Sequence, residues 1–320
     1  MDKEVIDLII IGGGPAGLSA ALYSSRAGLK VVIYAGNPPG GQLMNTTDVE
    51  NFPTQKSIYG PELINVMREQ VNSFGALIKD EIIEEINFSS YPYSANIGSE
   101  TIKFKSAVIA TGAQALWLGL KEENYFKGKG LSACATCDGF FFKNKIVGVV
   151  GGGDTALEEA LTLTKFASKV YIFHRRAEFK ASKIMRDKVK NNEKIEIVWN
   201  SSVLKINGEQ VVNSIDIKVE EEFKTIKLDG LFIAIGHKPD TQLFHNKVLM
   251  NNEGYILNYF YAGISSLPAE NFTKTYPTMT SVDGIFAAGD CVDLIYRQAS
   301  VASGMGVMAS LDNEKWLKNK

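Results

Sequence analysis

The sequence predicts an α/β fold in which one Rossmann-like unit is inserted into another. A strand–turn–helix–strand pattern occurs twice, and each copy begins with an apolar strand that runs into a glycine turn, at Gly12–Gly17 and at Gly151–Ala156. In both copies the same spacing separates the first glycine from the next apolar strand, which starts at Val31 or at Val170. Two copies in phase are a much stronger signal than one glycine motif alone.

The composition suits a two-domain protein without an electrostatic preference for a partner. The chain has 320 residues, of which 45% are hydrophobic and 22% are charged, and its formal net charge is -2. A balance so close to neutral provides no basic surface for nucleic acid. The apolar segment Val5–Ile11 is too short to cross a bilayer and contains Asp7. We therefore expect neither a nucleic-acid partner nor a membrane partner.

Each glycine turn is typical of a dinucleotide site. Glycines allow backbone amides to approach a pyrophosphate at the N-terminus of the following helix, which in the second copy is predicted over Leu157–Ala167. The candidate nucleotide-binding residues of the first turn are Gly12, Gly13, Gly14, Pro15, Ala16 and Gly17, and those of the second are Gly151, Gly153, Asp154 and Thr155.

The closing strands of the two copies indicate how they are nested. Ala107–Gly112 and Leu231–Gly236 are both apolar strands that end in glycine, and the chain reaches another such strand at Gly284–Ala288. The predicted first domain therefore comprises residues 1–113 and 241–320, and the second comprises residues 114–240. The two crossings, near Ala113 and near Asp240, are well placed to act as a hinge.

Cations at the end of the second strand indicate which nucleotide the later copy binds. His174, Arg175 and Arg176 follow this strand, and Lys180 comes four residues later. An acidic residue in this place would hold a ribose hydroxyl, whereas cations accommodate a 2′-phosphate. The inserted domain is therefore predicted to bind NADPH.

The C-terminal segment favours FAD in the earlier copy. The strand at Gly284–Ala288 is followed by Gly289 and Asp290, and a helix is predicted to open near Arg297, Gln298 and Ala299. An aspartate in this position can accept a hydrogen bond from a ribityl hydroxyl, and a helix N-terminus stabilises negative charge on a reduced flavin. The small residues of that helix indicate close packing.

Cys134 and Cys137 form a C-x-x-C pair between the two dinucleotide turns. Such a pair can cycle between a disulfide and a dithiol, and zinc is the competing interpretation. A structural zinc site needs four ligands, and the remaining candidates are scattered along the sequence: Cys291, His174, His237 and His245. The pattern predicts a redox-active pair and no metal site.

Taken together, these motifs resemble the low-molecular-weight thioredoxin reductases over essentially the whole chain. The segments that carry the resemblance are the two glycine turns, His174–Arg176, and the following runs: Gly40-Gly41-Gln42-Leu43, Glu50-Asn51-Phe52-Pro53, Ala110-Thr111-Gly112-Ala113, Cys134-Ala135-Thr136-Cys137-Asp138-Gly139 and Tyr296-Arg297-Gln298-Ala299. The resemblance implies a cytoplasmic homodimer. It also implies FAD contacts at Gly41, Gln42, Asn51, Ile83, Thr111, Gly112, Gly289, Asp290, Arg297, Gln298 and Ala299.

The resemblance further implies a reaction and the roles of three residues. Electrons would pass from NADPH through FAD to the Cys134–Cys137 disulfide and then to oxidised thioredoxin. Cys137 would lie against the flavin, Cys134 would attack the substrate, and Asp138 would protonate the leaving thiolate. A turn or helix-cap role is the alternative for Asp138. Because one dithiol cannot meet both the flavin and a protein, the inserted domain is expected to rotate between half-reactions.

Three features depart from the family pattern. Lys180 stands where the family commonly has arginine, so bidentate phosphate contact is lost there. The segment Tyr259–Pro277 is longer than usual, and Cys291 is interpreted as a small buried hydrophobe. The alternative functions are a dithiol oxidase, a reductase for a different disulfide partner, and a flavin-binding scaffold.

Overall fold

The computed structural model describes residues 5–36, 39–46, 48–54, 56–262 and 272–320. The chain divides into two compact units. The discontinuous unit comprises Met1–Gln114 and Lys238–Lys320, and the inserted unit comprises Ala115–His237. The long segment Tyr259–Pro277 lies partly outside the described residues. Its described part includes a short helix.

The described helices and strands follow in chain order. They are β1 Ile6–Ile11, α1 Pro15–Arg26, β2 Val31–Tyr34, β3 Asp48–Val49, β4 Ile58–Tyr59, α2 Gly60–Ser73, β5 Leu77–Lys79, β6 Glu85–Asn87, β7 Tyr93–Ile97, β8 Glu100–Ile109, β9 Ala113–Ala115, α3 Glu123–Phe126, β10 Leu131–Ser132, α4 Ala135–Asp138, β11 Ile146–Val150, α5 Asp154–Leu163, β12 Lys169–Phe173, α6 Lys183–Lys190, β13 Ile195–Val198, β14 Ser201–Gly208, β15 Val212–Val219, β16 Glu222–Lys227, β17 Gly230–Ile233, β18 His237–Pro239, α7 Tyr259–Ala262, β19 Ile285–Ala287 and α8 Ala299–Lys318. Short 3₁₀ turns cover Gly41–Asn45, Gly139–Phe142 and Gln242–Phe244.

A seven-stranded sheet forms the core of the discontinuous unit. Its order is β5-β2-β1-β8-β7-β6, and β19 pairs with β8. Strands β5, β2, β1, β8 and β19 run parallel to one another, so their carboxyl ends lie at one edge of the sheet, whereas β7 is antiparallel to β8. The sequence explains this arrangement because β2 and residues 8–11 of β1 are continuous apolar runs, as strands buried on both faces require.

Helices α1 and α8 pack against each other through small residues. A Cβ added at Gly306 would lie 2.0 Å from the backbone oxygen of Ala16. One turn further along, the hydroxyls of Ser24 and Ser310 are 2.7 Å apart and buried. The prediction that the small residues of the last helix serve close packing is therefore confirmed.

The inserted unit contains a second parallel sheet and an antiparallel layer. The parallel sheet has the order β10-β17-β11-β12-β13, and β14, β15 and β16 form the antiparallel one. Both Rossmann-like patterns predicted from the sequence are thus present, and the α/β fold class is confirmed. The predicted helix Leu157–Ala167 was wrong in its bounds, since α5 ends at Leu163. The hydroxyl of Thr164 donates to the backbone oxygen of Leu161, and the chain continues in turns from there.

The chain passes between the units twice, at β9 and β18, and these two short strands pair with each other. Within the described residues, each helix is either too short or too polar to cross a membrane.

Candidate functional site

The first glycine turn connects β1 to α1 at the carboxyl edge of the larger sheet. Gly12 has a φ of +119°, and a Cβ there would lie 2.1 Å from the backbone oxygen of Ala110. A Cβ at Gly17 would lie 2.0 Å from the oxygen of Gly12, so the start of the helix packs directly on the turn. A Cβ built at Gly14 would meet open space, with the backbone oxygen of Gly40 at 3.9 Å as its nearest contact. This geometry leaves room for a ligand beside Gly14.

Several predicted flavin-binding residues lie around this turn. A Cβ at Gly41 would be 3.7 Å from the Cα of Gly14, so the Gly40–Gly41 turn borders the same space. The Asn51 amide donates to the Gln298 side-chain oxygen at 3.3 Å, which brings two distant predicted residues together. Ile83, in contrast, is buried with the core of the unit.

The chain after β19 contributes a second tight turn to this edge. Gly289 has a φ of +80°, and a Cβ there would lie 2.8 Å from the Cβ of Ala16. The carboxyl of Asp290 follows directly. Burial, and next the charge of Asp293, raise the pKa of Asp290 to about 7, although Arg297 opposes this rise. A carboxyl with a raised pKa in an enclosed site is a candidate for ligand contact.

Asp293 shapes the loop that follows. Its side chain is buried, and its two oxygens accept backbone N–H groups from three successive residues, Ile295, Tyr296 and Arg297, each at 2.9 Å. Arg297 lies in the left-handed region, with a φ of +49°. The carboxylate of Asp293 therefore holds Arg297 and the start of α8 in place.

The starts of α1 and α5 fit the pyrophosphate of a dinucleotide. Among the described residues, no side chain caps either helix, at Gly14 or at Gly153. The N–H groups of a first turn need a partner, and a pyrophosphate supplies one. A Cβ built at Gly153 would have no contact within 4 Å, and one built at Gly14 would have a single contact, at 3.9 Å. Both turns therefore border open space. The residues present therefore fit FAD at one turn and a nicotinamide dinucleotide at the other.

The predicted basic segment follows β12 as expected. Arg175, Arg176 and Lys180 have exposed side chains, and none of them forms a salt bridge within the described part of the chain. His174 differs from them because it is buried, and its ring nitrogens lie 3.0 and 2.8 Å from the backbone oxygens of Gly151 and Glu178. Both ring nitrogens of His174 therefore face the protein's own backbone.

Asp154, the first residue of α5, is also engaged within the protein. Its carboxylate accepts the backbone N–H of Ser182 at 2.9 Å, and bonds from Ser182 lower the pKa of Asp154. Asp154 thus connects the second glycine turn to the end of the basic segment.

Cys134 and Cys137 are joined by a disulfide bond across the first turn of α4. The sulfur of Cys134 accepts the backbone N–H of Cys137 at 3.2 Å, and both residues are half-buried. The N–H of Cys134 donates to the Ser132 hydroxyl at 3.0 Å. A hydrogen-bond donor beside a sulfur stabilises its thiolate, so Cys134 is placed to act as a nucleophile after reduction.

Two acidic side chains flank the disulfide. Burial raises the pKa of Asp138, and a hydrogen bond with the Ser132 side chain opposes this rise. Glu159 of α5 accepts the backbone N–H of Ala135 at 2.5 Å and so fixes the start of α4. A carboxyl with a raised pKa beside a sulfur pair can donate a proton to a leaving thiolate.

The structure adds three residues to the site that the sequence motifs did not indicate, which are Ser132, Glu159 and Asp293. Ser132 and Asp293 contact predicted residues, and Glu159 contacts Ala135 between the two cysteines. The signal for Ser132 was present in the sequence, since it lies two residues before Cys134. The contact of Glu159 with Ala135 joins residues 24 positions apart, so it had no local signal.

Two dinucleotide turns and a reducible cysteine pair on one α/β chain define a nucleotide-dependent disulfide oxidoreductase. The chain belongs to the pyridine nucleotide-disulphide oxidoreductase family, whose model matches residues 6–306. It is 44% identical to a thioredoxin reductase of Rickettsia conorii over 98% of this chain and 99% of that one. A bifunctional thioredoxin reductase/thioredoxin of Mycobacterium leprae is 42% identical over 98% of this chain and 66% of its own length.

A solved structure supports the same assignment. The thioredoxin reductase of Giardia duodenalis superposes with a TM-score of 0.90 and 41% identity, over 99% of this chain and 100% of that one. The two-domain Rossmann-type fold predicted from the sequence is therefore confirmed.

Proposed function

We propose that this chain is a thioredoxin-disulfide reductase that uses NADPH as electron donor and FAD as internal carrier. The observation that carries the proposal is the Cys134–Cys137 disulfide, with a backbone donor on one sulfur and the raised pKa of Asp138 beside it. The relatives named thioredoxin reductase, one of them joined to a thioredoxin in a single chain, support this choice of substrate.

The glycine turns and their neighbours would hold the two cofactors. Gly12–Gly17, Asn51, Gln298 and Asp290 border the proposed FAD site in the discontinuous unit. The second glycine turn and the exposed cations Arg175, Arg176 and Lys180 would hold NADPH in the inserted unit. The bound flavin supplies a two-electron carrier between nicotinamide and disulfide. The proposed domain bounds remain 1–113 with 241–320, and 114–240.

The reduced cysteine pair would act by thiol–disulfide exchange. The Cys134 thiolate attacks one sulfur of the thioredoxin disulfide, forms a mixed disulfide and displaces a thiolate. The Cys137 thiolate then attacks Cys134, which restores the enzyme disulfide and releases the second substrate thiolate. Two electrons leave the enzyme, and the two substrate thiolates each take up a proton. The backbone donor on Cys134 favours it as the attacking sulfur.

Asp138 is the proposed proton donor. Because burial raises its pKa, a larger fraction of the carboxyl is protonated near neutral pH than for an ordinary aspartate. Ser132 contacts both this carboxyl and the N–H of Cys134, so it fixes the acid relative to the sulfur pair.

Two exposed aromatic side chains favour a protein substrate over a small disulfide. Phe140 and Phe141 follow the cysteine pair directly and are 58% and 40% exposed. Their rings meet edge to face, with centroids 6.4 Å apart. Exposed aromatics are typical of protein–protein contact surfaces. The next residue, Phe142, is buried instead, against Phe232.

The resemblance also favours a homodimer, a cytoplasmic location and rotation of the inserted domain between half-reactions. Light scattering on the purified protein tests the homodimer. A monomer at micromolar concentration would contradict this part of the proposal.

Spectroscopy and turnover test the function directly. The purified protein should be yellow, bleach on addition of NADPH under nitrogen and recover its colour with oxidised thioredoxin. The Cys134→Ser variant should still bleach but should no longer reduce thioredoxin. A buried control is Cys291→Ala, because Cys291 is fully enclosed and its thiol faces backbone oxygens of Ile109 and Ala288. This control should retain both half-reactions.

Other outcomes would identify the alternatives. Thioredoxin turnover in the Cys134→Ser variant would show that the nucleophile is assigned wrongly. Rapid NADPH oxidation that needs oxygen and ignores thioredoxin would indicate a dithiol oxidase. A colourless protein would contradict the flavin site and the proposal with it.

A further inference from the structure

His174 lies where the second dinucleotide turn meets the basic segment, and both of its ring nitrogens face backbone oxygens. Nδ1 is 3.0 Å from the oxygen of Gly151, and Nε2 is 2.8 Å from the oxygen of Glu178. A carbonyl oxygen can only accept a hydrogen bond. In either tautomer the ring therefore donates to at least one of these two oxygens.

The two oxygens belong to the two parts of the proposed NADPH site. Gly151 is the first glycine of the turn, and Glu178 lies in the basic segment between Arg176 and Lys180. The imidazole therefore connects the part that would face the pyrophosphate to the part that would face the 2′-phosphate. Backbone N–H groups of Lys180 and Ala181 also donate to the oxygen of Gly152, at 2.9 and 3.2 Å.

The ring of His174 is tightly enclosed. A Cβ added at Gly152 would lie 2.1 Å from its Cε1 atom, and the rings of Phe179 and Trp199 pack at centroid distances of 5.3 and 5.9 Å. The ring is thus held between the turn and two aromatic side chains. This enclosure leaves its nitrogens directed at the two oxygens.

We propose that His174 is a positioning residue that clamps the second glycine turn to the basic segment and so sets the recognition of the 2′-phosphate. This inference rests on the proposed NADPH site. Without the ring both contacts are lost, and the segment that presents Arg175, Arg176 and Lys180 is no longer held to the glycine turn. His174 itself donates nothing to the nucleotide.

The other charged groups around the ring are either exposed or paired with other residues. On its own segment these are Arg175, Arg176, Glu178 and Lys180, all with exposed side chains. The carboxylates on the adjoining elements have other partners, which are Ser182 for Asp154, Lys169 for Glu196 and Asn200 for Glu220.

Binding of 2′,5′-ADP to the flavin-loaded enzyme tests the inference, with 5′-AMP as the analogue that lacks the 2′-phosphate. Calorimetry would compare the wild type, His174→Gln and the control His245→Gln, whose histidine is exposed in the other unit. Loss of a hydrogen bond that holds the basic segment predicts that His174→Gln binds 2′,5′-ADP about tenfold more weakly than the wild type. The affinity for 5′-AMP should be the same in all three proteins.

A misfolded variant would lose affinity for both ligands, so a loss confined to 2′,5′-ADP isolates the clamp. Equal affinity of the wild type and His174→Gln for 2′,5′-ADP, or an equal loss of affinity for 5′-AMP, would overturn the inference. If the wild type binds 2′,5′-ADP no better than 5′-AMP, the proposed NADPH specificity is wrong. The basic segment then recognises no 2′-phosphate, and the clamp is wrong with it.

A second measurement does not depend on a folded variant. The chain has 3 histidines, so nitrogen NMR of histidine-labelled wild-type enzyme gives a simple spectrum. The enclosed ring should show a nitrogen-bound hydrogen that exchanges slowly with solvent because it is hydrogen-bonded and buried. A spectrum in which every histidine N–H exchanges rapidly would refute the clamp.

Discussion

Asp290 should make the stability of the flavin-free protein fall as pH rises. Burial first, and then the charge of Asp293, raise its pKa from the ordinary 3.8 to about 7. A raised pKa in the folded state gives stability that is fully present below pH 4 and is lost as pH rises through 7. The size of this rise corresponds to about 4 kcal/mol of unfolding free energy.

The Asp290→Asn variant tests this prediction. Its side chain is neutral at every pH, so its unfolding free energy should lack this decline between pH 4 and 8. The two proteins should have similar stability at pH 4, and the variant should be more stable at pH 8. Urea unfolding of the flavin-free proteins across this range provides the measurement, and the difference between the two curves isolates Asp290 from other titrating groups.

Two further variants sharpen the test. Asp293→Asn removes the neighbouring charge, so it should lower the pKa of Asp290, and the decline in stability should be smaller and end at a lower pH. Asp7→Asn is a control in which the effect of pH on the free energy of unfolding should be reversed. Burial acts to raise the pKa of Asp7, but bonds from Lys105 and Lys30 outweigh it and lower the pKa. That variant should lose stability at neutral pH and little at low pH. Parallel curves for wild type and Asp290→Asn would refute the reasoning.

Three other predictions concern the redox site and the hinge. Asp138→Asn should reduce thioredoxin turnover by about 100-fold and remove the fall in rate at high pH that follows ionisation of Asp138; an unchanged rate–pH profile would exclude it as the acid. Glu159→Gln should raise the midpoint potential of the Cys134–Cys137 pair in a redox titration, because it removes a negative charge beside the forming thiolates while a side-chain oxygen remains for Ala135; an equal or lower potential would count against this role. A reversible cross-link that fixes the inserted domain should permit one half-reaction and abolish turnover in a stopped-flow assay, and normal steady-state rates in the locked protein would contradict domain rotation.

Much of the fold followed from local sequence patterns. The apolar runs of β1 and β2 and the glycines between them were interpretable because strand burial and tight turns depend on neighbouring residues. The same local pattern indicates the second copy at β11, α5 and β12. The end of α5 differs from the predicted one because the Thr164 hydroxyl competes for a backbone oxygen.

The redox pair of the candidate site also followed from sequence, whereas its surroundings did not. Cys134 and Cys137 are close because three positions separate them. Glu159 reaches the same helix from another element, and nothing in its neighbouring residues indicates this. A sequence pattern reports local conformation, but it does not report which distant side chains complete a hydrogen bond.

His174 shows the limit most clearly. The sequence placed it with Arg175 and Arg176 as a cation for the nucleotide, and only folding showed that its ring turns inward to two backbone oxygens. The sequence alone determined two dinucleotide turns, a reducible sulfur pair and the nested order of their elements, because each depends on residues close in the chain. Tertiary structure decided which charges are enclosed, which are exposed and which carboxyl has its pKa raised, because burial and long-range contacts arise only when the sheets and helices pack.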